Sequence, residues 1–259
     1  MKHIKKKFYL ESKDVPVPLK EGKKLLTVDR SDNATLKNIK KGENISFVKT
    51  EDENYRLALI YKHQGQHIFL PVPDFTLVYF NNAYLNNKSR KKLEKLLFKK
   101  INNIENGYSE NVDSEIYGYI GIATSAIIQM FTSLESFINY LIPDEGVYIK
   151  IRPEKTESYN KEQIQKNIRF MEKVKEVLPF FTSKNFFINQ TLTNNHIVNL
   201  KNIRDEIVHT KSNFLYQSQT ELLEKLLKFK YDDTLSAIRK FMNFYIKDYN
   251  IDCDCSSEE

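Results

Sequence analysis

"IYGYIGIATSAIIQMFTSL", residues 116–134, runs nineteen positions without a charge. A segment of that length can cross a bilayer, so its reading separates a membrane protein from a bundle of core helices. Gln129 and the hydroxyls of Thr124, Ser125, Thr132 and Ser133 interrupt its apolarity, and it runs directly into Glu135. No second span of this kind occurs in the sequence. We therefore expect a buried core helix from about Asp113 to Leu141, stopped by Pro143, and no membrane partner.

Toward the C-terminus, apolar residues recur at helical spacing almost to the end. This predicts a second helix over 160–177 before "LPFF", a third over 193–209, and a last over 220–247 with a break near "YDD" (231–233). Four helices with short links make an up-and-down bundle. Toward the N-terminus the pattern is extended: "KLLTV" (24–28), "ISFVK" (45–49), "YRLALIYK" (55–62), "HIFLPV" (67–72) and "FTLVYF" (75–80) are rich in β-branched and aromatic residues. "HQGQ" (63–66) reads as a hairpin turn, with Gly65 where positive φ is needed and His63 facing His67 across it. "KSRKKLEKLLFKKINNI" (88–104) is a helix with a basic face, and "NGYSENVDS" (106–114) is a polar joint. The expected class is α+β and mainly α. A β-rich region, 1–110, ends in the basic helix; a helical bundle follows at 111–250, then a disordered tail at 251–259.

The bulk composition is that of a folded chain. Of 259 residues, 41% are hydrophobic and 12% aromatic, ample for a core. The net charge of +6 is a mild basic bias that suits an anionic partner. Both cysteines, Cys253 and Cys255, lie in the tail, where they cannot staple a core or build a four-ligand zinc site. The start, "MKHIKKKFYLES", has a positive flank and no apolar run behind it, so a cytoplasmic location is expected.

Two charges interrupt apolar stripes. On the third helix, Arg204 falls between Leu200 and Ile207 on the side of Ile197 and Val208. On the first, Glu135 falls between Phe131 and Ile138, in line with Ile128 and Ile142. A buried unpaired ion costs several kcal/mol, so Glu135 and Arg204 are expected to pair between these helices. His209 closes the third helix, where a cation favours the macrodipole by about 0.3–1 kcal/mol. His196 lies on the apolar side and is expected to be a core ring.

Arg204-Asp205-Glu206-Ile207-Val208-His209 has the form R-D-x-x-x-H near a helix end. It resembles the signature of the HEPN superfamily, and "SLESFINYLIP" (133–143) looks like the first-helix segment of many such proteins. The resemblance covers about residues 111–250. It implies a helical domain that dimerises and, in many members, a metal-independent endoribonuclease of toxin–antitoxin or phage-defence systems. Others are non-catalytic binding or dimerisation modules. Carried over, Arg204 would neutralise the scissile phosphate and His209 would move protons for attack by the ribose 2′-hydroxyl. Asp205 or Glu135 would orient Arg204, and Lys201 and Lys211 would meet flanking phosphates. The implied partners are RNA, a second copy of the chain and an antitoxin or defence protein. No metal or other cofactor is implied.

Overall fold

A computed structural model describes residue 4 and residues 26–28, 46–49, 55–102, 112–209 and 217–253. Among these the chain is mainly helical, with two small sheets. It divides into two compact units, one of residues 6–78 and one of residues 1–5 and 79–259. The boundary falls after Val78, inside a helix, and not at the polar joint near 110. The basic helix accordingly groups with the helical unit.

The first unit carries a four-stranded sheet of β1 (Leu26–Val28), β2 (Ser46–Lys49), β3 (Tyr55–His63) and β4 (Gln66–Pro71). The strands lie in chain order, with β1 parallel to β2 and the remaining pairs antiparallel. Gln64 and Gly65 both have positive φ, the twist a two-residue hairpin requires. The register pairs His63 with Gln66 and His67 with Lys62, so the two histidines are not cross-strand partners.

"FTLVYF" is not a strand. It opens α1 (Phe75–Ile101), because Asp74 Oδ1 accepts the Thr76 N–H at 2.9 Å and caps the first turn. With the helix begun there, Phe80, Ala83, Asn87, Arg90 and Leu97 form its buried face. Leu96 is exposed. Arg90 therefore sits inside, although the periodicity of the segment places it on the solvated basic face. Its Nε donates to Asn87 (3.0 Å), its Nη1 meets Glu94 (2.9 Å), and its guanidinium lies 4.1 Å over the Tyr231 ring.

In the helical unit α2 (Asp113–Leu141) is the central element, in contact with α4, α5, α6 and α7 as defined below. Ala123, Ala126, Ile127, Met130, Leu134, Phe137 and Ile138 are fully buried in it. By length and composition α2 could cross a membrane, and 44% of its most apolar window is buried within the protein. Ile142 and Pro143 end it, and a hairpin of β5 (Val147–Ile151) and β6 (Thr156–Asn160) follows that the sequence reading did not anticipate.

The expected second helix is two. Asn160 and Gln163 form a capping box on α3 (Lys161–Asn167), which stops at the extended Ile168. Next comes α4, a continuous run of Phe170–Glu172, a π turn Lys173–Val177, and Leu178–Thr182. Thr191 caps α5 (Leu192–Val208), whose Ile197, Leu200 and Ile203 enter the core. The last helix is broken at Phe229–Lys230 into α6 (Gln217–Lys228) and α7 (Tyr231–Tyr245), just ahead of the expected point. Within the expected tail, Asp252 bridges to Ile4 and pairs with Arg239, so residues 251–253 are held to the helical unit; residues 254–259 lie outside the described residues.

Candidate functional site

The C-terminal half of α5 presents two different faces. Successive helical residues turn by about 100°, so Arg204 and His209 leave the axis about 140° apart.

Arg204 points toward α2. Its guanidinium lies 4.4 Å over the Phe131 ring, and Phe131 is backed by Phe170 of α4 at 4.9 Å. Its Nη1 donates to Asp205 Oδ1 at 3.0 Å, while Lys201 Nζ holds Asp205 Oδ2 at 2.9 Å. Partial burial raises the Asp205 pKa, but hydrogen bonds from Lys201 and Arg204 outweigh it and hold the carboxyl below its usual value. With a side chain 31% exposed, Arg204 is at the solvent edge of the stripe and not in the core. Lys201 is thus engaged with Asp205.

The expected Glu135–Arg204 pair does not form. Glu135 Oε1 instead lies 3.7 Å from Nζ of Lys173, a residue only 2% exposed. Lys173 also donates to the Gln165 carbonyl at 3.0 Å. The physical reason is geometric. The π turn of α4 carries Lys173 into the interior beside α2, so Glu135 finds its cation there, while an aromatic face and an adjacent carboxylate satisfy Arg204. Burial lowers the Lys173 pKa, and the charge of Glu135 opposes that shift. Ile128, expected in the same buried stripe, is exposed.

His209 ends α5. It is exposed, and its backbone N–H donates to the Asp205 carbonyl at 2.9 Å. It borders a groove of about 560 Å³ with Asp205 and Glu206 and, from α6, Glu221, Leu222 and Lys225. Lys225 Nζ bridges this groove to Glu206 at 2.7 and 2.9 Å. Past that bridge a second chamber of about 440 Å³ follows, lined by His196, Asn199 and Asn202 of α5 and by Phe229 and Lys230 at the α6–α7 break. His196 is therefore half-buried on a groove wall, not a core ring.

Asp205 links the two faces, since it holds Arg204 and also borders the His209 groove. Glu135 belongs to neither. Lys211 lies outside the described residues. Sequence reasoning missed Phe131 as the seat of Arg204, although the three–four spacing of Phe131 and Glu135 against Arg204 pointed to that region. It also missed Lys225, which is visible only once α6 is set against α5. No family model matches this chain, and no curated protein or solved structure matches it.

Proposed function

We propose that the chain is a metal-independent endoribonuclease of HEPN type that works as a homodimer in a toxin or phage-defence setting. The observation that supports this most is the state of Arg204. It is seated on Phe131, oriented by Asp205 and partly exposed, on the same helix whose open end carries His209. A guanidinium so placed is a preorganised fork for phosphate oxygens, and an imidazole can take and give a proton as general base and acid.

The two groups diverge on one helix, so the cleft we assign is composite, with both protomers contributing to it. The surface we assign to dimerisation is the outer strip of α2. Tyr117, Gly121, Ser125 and Ile128 are exposed there, and nothing in residues 116–134 is charged. The hydroxyls of Thr124, Ser125 and Thr132 bond back to carbonyls of their own helix, so they can be covered at little cost. On the helical wheel this strip continues into Phe131 and Glu135, within about 40°, and so leads directly to Arg204.

In the reaction, the ribose 2′-oxygen attacks phosphorus and the P–O5′ bond breaks. His209 side chains remove the 2′-proton and return one to the leaving oxygen, while Arg204 balances charge developing on the phosphate. The products carry a 2′,3′-cyclic phosphate and a 5′-hydroxyl. End-group analysis of cleaved single-stranded RNA tests this. We expect those ends, and no cutting of a fully 2′-O-methylated strand. Products with 5′-phosphate and 3′-hydroxyl ends would contradict the assignment. A non-catalytic binding or dimerisation role is the alternative. It is favoured by the divergence of Arg204 from His209 and by the acidic residues around His209, and it predicts no cutting of either strand.

A further inference from the structure

The chamber beyond the Glu206–Lys225 bridge has a chemistry unlike that of the His209 end. Asn199 and Asn202 are exposed on one wall, and neither side chain has a hydrogen-bond partner among the described residues. His196, likewise without one among the described residues, stands one turn nearer the start of α5. Opposite them, the half-buried Phe229 ring is fixed edge-on by Tyr231 at 4.9 Å and 82°. Ile203 and Thr234, both buried, make the floor. Among the lining charges, Glu206 is neutralised by Lys225 and Glu224 by Lys228, while Lys230 has no acidic partner among the described residues.

Two amide forks, an imidazole, a fixed aromatic ring and a free cation at the rim are the groups that recognise an unpaired base. Amides and imidazole read the hydrogen-bonding edge, the ring stacks on the π face, and the lysine meets the adjoining phosphate. Polar groups set over an apolar floor suit a base, which has a polar edge and an apolar face. From Asn199 to His209, α5 rises about 15 Å, so a base seated here lies within a few nucleotides of His209 on a strand running along the groove.

We propose that this chamber is a binding subsite for an unpaired RNA base flanking the cleaved phosphate. The choice of ligand rests on the ribonuclease reading. The prediction that follows is selectivity for single strands.

The test is binding of a 2′-O-methylated single-stranded RNA decamer by fluorescence anisotropy, with the same strand annealed to its complement for comparison. The proteins are the full chain, Asn199→Ala/Asn202→Ala and Phe229→Ala, checked for folding by circular dichroism. Cleavage of the unmodified strand is followed in parallel. We expect the single strand to bind well ahead of the duplex, and each variant to weaken it about tenfold or more. If folded variants bind as wild type does, or if duplex competes equally, the subsite is refuted even where cleavage proceeds. If wild type binds the strand and the variants lose it while no cleavage occurs, the subsite stands and the nuclease reading falls. Absence of binding by wild type overturns both.

Discussion

Among the described residues, Lys173 and Arg90 are the buried cations, at 2% and 6% exposure. Glu135 and Arg204, the charges that looked buried from periodicity, lie at the solvent edge. Each buried cation is stabilised by identifiable groups: Glu135 and the Gln165 carbonyl for Lys173, and Asn87, Glu94 and the Tyr231 ring for Arg90. Lys173 gives a pH signature. Its pKa in the folded chain is below the ordinary value of 10.5. Between those two values the unfolded chain binds the extra proton, so stability rises with pH across that window. Wild type should therefore gain thermal stability relative to Lys173→Met as pH is raised from neutral toward 10. A difference between the two that stays constant with pH would refute burial of the charged amine. The anomaly of Arg204 was legible from spacing, but its partner was not. Spacing places a residue on a face of an ideal helix. It does not reveal that a π turn on another helix supplies Glu135 with a nearer cation, or that Phe131 offers Arg204 a ring.

Element boundaries followed caps and breakers more closely than composition. "FTLVYF" has the makeup of a strand and forms helix, because Asp74 behind Pro73 caps its first turn. Replacing Asp74 with Ala removes that cap and should destabilise the protein by about 1 kcal/mol in urea denaturation. No change would mean that the first turn is set by something else. The helices α2 and α5 were legible almost to the residue, since both carry long periodic apolar faces and clear ends at Pro143 and His209. The β5–β6 hairpin was not. Val147, Ile149 and Ile151 are exposed while Tyr148 turns inward, so its apolar alternation runs opposite to the usual rule. The π turn also escaped, since no local signal in Lys173–Val177 marks it.

At the scale of the whole molecule, the claim is that two copies assemble through the outer strip of α2 and bring their α5 ends into one cleft. Ile128 is exposed on that strip, so Ile128→Glu should leave the fold intact. In analytical ultracentrifugation at micromolar concentration we expect wild type to be a dimer and this variant a monomer that has lost cleavage. A wild-type monomer, or a dimeric Ile128→Glu, would remove α2 as the seam. What the sequence conveyed at this scale was the mainly helical α+β class and the motif on α5. The split after Val78 was hidden, because a single continuous helix, α1, spans it. The most direct measurement of the central claim is the initial rate of RNA cleavage in excess EDTA by wild type, Arg204→Ala and His209→Ala. The account predicts cleavage by wild type, a loss of about 10²–10³-fold for Arg204→Ala and of about 10²–10⁴-fold for His209→Ala. Cleavage that survives both substitutions, or that wild type loses with EDTA, would contradict it.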